Sequence, residues 1–174
     1  MDKSKQLFTL ITSEGELQVS LKEVDVPEPK SHEVIVQMEA SPINPSDMWP
    51  MFGPASLDKA TFDEDKKALV APVHKPLLSR IKSRLDQTLP IGNEGAGTVV
   101  KAGDSPEAQA LMGKTVSILT GAAYTDSSAS STSDASIRRG GGGGGVLAAA
   151  TSALACAAIS AGVMSQQRGR PGDP

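Results

Sequence analysis

The chain has 174 residues, of which 39% are hydrophobic and 21% charged, with a formal net charge of -3. That length suits one domain, or one domain and a tail, and the acidic balance argues against nucleic acid as a general partner. A single cysteine excludes an internal disulfide and fits a reducing compartment, and no apolar run follows Met1-Asp-Lys-Ser-Lys-Gln6, so no secretory leader is expected and the chain is read as cytoplasmic.

Leu7 to Ile11 and Leu17 to Val26 read as two strands, with Glu14-Gly15 as the turn between them. Leu17, Val19 and Leu21 alternate with Gln18, Ser20 and Lys22, the period of a sheet with one buried face. Pro27 and Pro29 end the second strand. Glu33 to Ala40 is a third strand, apolar on both faces at its start and therefore central. Ser41-Pro-Ile-Asn-Pro-Ser-Asp-Met48 follows directly; its two prolines force a rigid loop, and a short helix is expected from Pro45 to Met51. Asn44, Ser46 and Asp47 are read either as turn and cap residues or as side chains presented to a cleft. Trp49, Met51 and Phe52 either line the apolar side of such a cleft or form the core beneath the loop.

Between Pro54 and Leu89, Asp63-Glu-Asp-Lys-Lys67 is a solvated charge patch. Pro76 to Leu85 reads as one amphipathic helix with Leu77, Leu78, Ile81 and Leu85 on one face, capping a barrel. In Leu89-Pro-Ile-Gly-Asn-Glu-Gly-Ala-Gly-Thr-Val-Val100, glycines flank one acidic residue, Glu94. Glycines this dense mark tight turns, positive φ or close backbone contact. Glu94 is either a carboxylate buried in the bend or an exposed one on a bulged hairpin. Thr98 to Lys101 and Thr115 to Leu119 add two strands, joined by a helical turn with Ser105 as N-cap and Pro106 in its first position. His32 and His74 are expected at the surface.

Many short strands with little helix predict a mainly β fold, a small barrel or curled sheet. The segment Gly92-Asn-Glu-Gly-Ala-Gly-Thr-Val99 resembles the Gly-x-Glu-Gly-x-Gly-x-Val stretch of the medium-chain dehydrogenase/reductase family. Val24-Asp-Val-Pro-Glu-Pro29 before Glu33 to Met38, and Lys114 to Leu119 after Gly113, resemble further elements of that family in the right order. The resemblance covers about residues 5 to 124 and implies a partial GroES-like β-barrel with short helices. The stretch from Pro54 to Leu89 is longer than in typical members. The branch it is most similar to is the zinc-independent, quinone-oxidoreductase-like one, with Asn44 and Asp47 matching its Asn-x-x-Asp motif.

That resemblance implies NADPH or NADH as cofactor, a small carbonyl or quinone substrate, Asn44 and Asp47 as catalytic residues, and Asn44 at the nicotinamide or the substrate carbonyl. In the alcohol-dehydrogenase branch, a zinc-binding cysteine matches Asn44, a histidine matches Asn93 and a glutamate matches Glu94. Carboxamides bind zinc poorly, so no zinc is expected, and one cysteine cannot build the family's four-cysteine site.

From Thr125 onward the composition turns to Ser, Gly, Ala and Arg, without Lys, Glu, Phe, Trp or Tyr. The domain organisation expected is therefore an incomplete catalytic domain over 1–124, a Ser/Gly-rich linker over 125–145 with fast amide exchange, and an Ala-rich tail over 146–174. Ser127 to Ser136 is read as polar and not a strand. Gly140 to Gly145 meets a dinucleotide-binding glycine pattern only trivially, with no strand before it and no acidic residue about 20 positions on. The tail is open to three readings: disorder, a helix from Val146 to Met164, or a membrane anchor whose composition makes insertion marginal. The break after Tyr124 suggests truncation by frameshift or aberrant splicing, or else a genuine alternative terminus. Without a dinucleotide-binding domain the chain is expected not to bind cofactor and to be inactive alone. The alternative is a non-enzymatic fragment that uses the barrel or the Ala-rich segment for a partner or membrane.

Overall fold

The computed structural model describes residues 2–132 and the pair Arg138–Arg139. As expected, the architecture is mainly β. β1 (Lys3–Ile11) and β2 (Glu16–Asp25) form a hairpin from Lys3 opposite Asp25 to Ile11 opposite Leu17. Gly15, at φ 93°, makes the turn without a side-chain clash. Ile11 and Leu17 at its turn end are fully buried, whereas Leu21 is 52% exposed. The alternating face of β2 thus meets the core only near the turn.

β3 (Glu33–Ala40) is central, as its two apolar faces predict: Val34, Ile35 and Val36 are all buried. The chain then forms α1 (Pro45–Phe52), a hairpin of β4 (Thr61–Asp63) and β5 (Ala68–Pro72), the single helical turn α2 (Lys75–Leu78), and β6 (Leu89–Pro90). β7 (Glu94–Ala102), α3 (Pro106–Gln109), β8 (Thr115–Leu119) and β9 (Ser127–Ser131) follow, and β10 (Arg138–Arg139) pairs with β8. One sheet runs β4-β5-β2-β1-β6 and the other β10-β8-β7-β3-β9. They join where Leu7 donates to the Tyr124 carbonyl (2.9 Å) and Asp126 donates to the Lys5 carbonyl (3.0 Å). The cap of α3 is as read from sequence, with Ser105 Oγ accepting from the Ala108 amide at 3.1 Å.

Two expectations are corrected. The stretch Pro76 to Leu85 is not one helix; α2 ends at Leu78 and a separate 3-10 turn covers Lys82–Arg84. Ile81 is still buried, with Leu78 and Leu85 packed against the same cluster, so the apolar face was real but the backbone beneath it is broken. Tertiary bonds hold the break. Asp86, at φ 59°, donates its amide to the Ile11 carbonyl (2.8 Å) and accepts from the Ser13 amide (2.9 Å). Arg84 is drawn aside to α1, as described below. The charge patch Asp63 to Lys67 is solvated as expected, with 64–67 exposed, and it forms the turn of the β4–β5 hairpin, with Lys67 at φ 49° and β5 paired to β2. Lys66 clips it to β2 through Glu16 Oε1 at 2.7 Å. The Lys66 ammonium and the Gln18 amide hold Glu16 below the usual carboxylate range, so this clip holds at neutral pH and is lost as pH falls through the lowered value.

The second correction is that Ser127 to Ser131 is a strand. It pairs with β3 from Glu33 opposite Ser131 to Gln37 opposite Ser127. Composition misled because β3 supplies the apolar side chains, while β9 needs only backbone groups and two small residues, Ser128 and Ser130, that fit the buried face. Of the expected linker, 133–137 and the glycine run 140–145 lie outside the described residues, as does the Ala-rich segment. Amide exchange across 127–131 is expected to be slowed by pairing with β3. Exchange there as fast as in a free peptide, read residue by residue by NMR, would contradict that pairing.

Candidate functional site

The site is built where the loop after β3 meets the bend before β7. Asn44 is the N-cap of α1, in an extended conformation that the following Pro45 favours. Asp47, one turn in, is 1% exposed. Its carboxylate accepts from two backbone amides, Asn44 at 2.8 Å and Asn93 at 3.1 Å. Asp47 is therefore a clip between two chain segments 46 residues apart and is not open to a ligand. These two bonds are the contacts of the Asp47 carboxylate, and they hold the two loops in register.

The second segment turns at Gly92, φ 106°, where a Cβ would lie 2.5 Å from the Tyr124 amide nitrogen. Only glycine admits this approach. Tyr124 closes the arrangement, donating its hydroxyl to the Pro42 carbonyl (3.0 Å) and its amide to the Ile91 carbonyl (3.1 Å). Ser41 Oγ donates to the Ala123 carbonyl at 2.9 Å. Three segments that are remote in sequence are thus fixed together around Asp47.

On this base stand the polar side chains. Asn44 Nδ2 donates to Glu94 Oε1 at 2.6 Å, and Asn93 Nδ2 to Ser46 Oγ at 3.0 Å. Glu94 is exposed, which decides between its two readings, and Asn44 and Asn93 are half-buried. Ile43, Met48 and Trp49 are exposed beside Asn44, and Leu119, 63% exposed, lies opposite Glu94 in the β7–β8 ladder. Of the three residues read as cleft or core, Met51 and Phe52 pack inward and Trp49 is open to solvent.

The far end of α1 is held by groups the sequence did not flag. Arg84 donates to the Trp49 carbonyl (3.0 Å) and to the Pro50 carbonyl, and Thr9 Oγ1 donates to the Met51 carbonyl (2.8 Å). A guanidinium at the carbonyl end of a helix satisfies orphan acceptors and opposes the helix dipole. Burial pulls the Arg84 pKa down, yet it stays charged. Nothing in the local sequence around Arg84 marks this contact across 35 residues.

Among the described residues no three of His, Cys, Asp and Glu stand together as a metal site. His32 and His74 are both exposed. Asn44 and Asn93 present carboxamides, not thiolate or imidazole, and their amide nitrogens are engaged with Glu94 and Ser46. This donor set does not fit zinc.

Asp47→Ala is expected to cost about 2–3 kcal/mol, because two backbone amides lose a charged acceptor. Urea denaturation checks this; a loss below about 0.5 kcal/mol would mean that water replaces the carboxylate.

No family model matches the chain, and no curated protein resembles it significantly in sequence. Solved structures do share its fold. A protein assigned as an NADPH:quinone reductase from Mesorhizobium loti is 21% identical, with TM-score 0.52, over 97% of this chain and 46% of its own. One so assigned from Bacillus thuringiensis is 19% identical, with TM-score 0.55, over 92% and 41%. The quinone oxidoreductase from Coxiella burnetii is 14% identical, with TM-score 0.55, over 86% and 41%. The resemblance to the quinone-oxidoreductase type is thus borne out as a shared fold, and the chain spans less than half the length of these proteins.

Proposed function

We propose that this chain is the substrate-side part of a zinc-independent, NAD(P)H-dependent oxidoreductase acting on quinones or enones, and that it is inactive alone. The observation that carries the reading is the clipped loop pair. Asp47 holds Asn44 and Asn93 side by side beneath an open apolar rim, in a fold shared with quinone reductases. A reduced nicotinamide, when bound, supplies the hydride. The chain's own contribution is orientation and exclusion of water: Asn44 offers hydrogen bonds, and Ile43, Met48, Trp49 and Leu119 offer apolar contact.

The carboxamide of Asn44 fits a neutral polar group of such a cofactor or substrate. A pyrophosphate anchor is another matter. Among the described residues the one helix longer than a single turn, α1, is preceded by Ser41-Pro-Ile-Asn44, without glycine. No helix among the described residues is long and apolar enough to cross a membrane, and we place the protein in the cytoplasm.

The direct test joins this chain to the remaining half of the Mesorhizobium loti protein and measures quinone-dependent NADPH oxidation. Turnover above either part alone supports the reading; a folded chimera that binds NADPH without turnover contradicts it. Zinc is expected to be absent, and elemental analysis of the purified chain that finds close to one zinc per molecule would refute the metal-free assignment.

A further inference from the structure

We infer that Arg84 is a positioning residue of the cleft: its guanidinium clamps the carbonyl end of α1 and so fixes the rim residue Trp49. The inference rests on the proposed role of the cleft and adds what holds its rim. α1 has little of its own to keep it in place. It is eight residues long, and a helix of that length is marginal without tertiary support. Pro50 lies inside it and has no amide hydrogen to offer the Ser46 carbonyl one turn back.

The last four carbonyls of a helix need partners from beyond it. The Phe52 carbonyl accepts from the Ala55 amide (3.2 Å) and the Trp49 carbonyl from the Gly53 amide (2.9 Å). The remaining partners come from far along the chain: Arg84 for Trp49 and Pro50, Thr9 for Met51. Arg84 and Thr9 act as one unit. Thr9 Oγ1 gives its one proton to the Met51 carbonyl, so toward Arg84 it can only accept, and Arg84 Nη2 donates to it at 3.3 Å. The two Nη groups thus span three acceptors. Among the described residues no carboxylate pairs with Arg84, so its charge is set against the helix end. A lysine ammonium is a point charge on a flexible stem and does not reproduce that planar fork.

The clamp reaches the site in two directions. Met51 is buried with Ile91 and Tyr124, and Ile91 leads into the bend that carries Asn93 and Glu94. Trp49 carries one of the clamped carbonyls, and its side chain, 58% exposed, has little packing of its own. At its other end α1 is clipped by Asp47, which joins Asn44 to Asn93. The helix is therefore fixed at both ends. Without Arg84 it can swing about Asp47, and Trp49 moves further than Asn44. This gives the stretch between β5 and β6 a part in the site that its apolar face does not.

Trp49 is the one tryptophan of the chain, so its fluorescence anisotropy and its indole N–H resonance report on this helix end directly. Arg84→Lys keeps the charge and removes the fork. The expected result in the full chain is lower anisotropy and a shifted indole resonance, with the dispersion of the backbone spectrum intact. Arg80→Lys, at an exposed neighbour, should leave both signals as they are. Unchanged Trp49 signals in Arg84→Lys would overturn the inference, because a residue that only adds stability lowers the urea midpoint without altering Trp49 in the folded chain. If the lysine variant does not fold, the unaltered chain decides. Bonds on both arms should hold the guanidinium against rotation and give Arg84 separate Nη proton signals; averaged signals would overturn the clamp. In the active chimera, Arg84→Lys should lower turnover about tenfold while the Kd for NADPH stays within about twofold. Unchanged turnover there would overturn the positioning role. A chimera without turnover on quinones, with Trp49 released by Arg84→Lys, would refute the proposed activity and leave the clamp standing.

Discussion

Replacing Gly97 by alanine is expected to cost upwards of about 3 kcal/mol, a loss large enough to unfold much of the chain. A Cβ there would lie 1.9 Å from the Gln37 carbonyl oxygen and 2.9 Å from Met38 Cα. Both are backbone atoms of β3, so no side-chain rotation relieves the clash. Gly97 faces Met38 where the β3–β7 register slips, between Met38 opposite Gly97 and Ala40 opposite Ala96. Pushing the strands apart would strain the ladder that sets Val36 beside Val99 in the core of this sheet. Gly121→Ala is the matched control, because its Cβ would meet nothing within 4 Å and its φ is not positive. That change should fall within about 0.5 kcal/mol of the unaltered chain. Equal urea midpoints for the two variants would show that β3 and β7 can separate at no cost, which the register does not allow.

This glycine shows what was legible in the sequence and what was not. Dense glycines around Glu94 predicted a constrained backbone, and the structure finds both causes: positive φ at Gly92 and close approach at Gly97. Glu33–Ala40 was readable from its continuous apolar start and Thr115–Leu119 from its alternation. β9 was not, because a run of serines becomes a strand only through its partner, and partners do not show in a local window. The same holds for the site. Asn44 and Glu94 each stood out locally, but their hydrogen bond spans 50 residues. Asp47 stood out too: its cap role was legible from the loop, but its bond to Asn93, 46 residues away, was not. Arg84 carried no local signal, since its partners are carbonyls at the end of α1.

The chain alone is expected not to bind NADPH or NADH at micromolar concentrations and not to reduce quinones. Hydride transfer needs the donor carbon held within about 3 to 3.5 Å of the acceptor. Holding a dinucleotide in that geometry depends mainly on its pyrophosphate, which glycine turns opening long helices cradle. The described part of the chain brings to the cleft a carboxamide, a carboxylate and an apolar rim. Glu94 and the buried Asp47 put negative charge beside any phosphate that approaches. A few contacts to one end of a flexible ligand do not offset the entropy lost on association. Calorimetric titration of the 174-residue chain with NADPH tests this, and saturable micromolar binding would place an anchor outside the described residues. In the active chimera the same logic assigns a different effect to Asn44. With the pyrophosphate held by the other half, Asn44→Ala removes orientation near the reacting carbons and little of the grip on the cofactor. Turnover should then fall roughly tenfold or more while the Kd for NADPH changes less than about threefold. If affinity falls as far as turnover, Asn44 is a binding contact of the ground state, and orientation of the reacting group must come from another residue of the cleft.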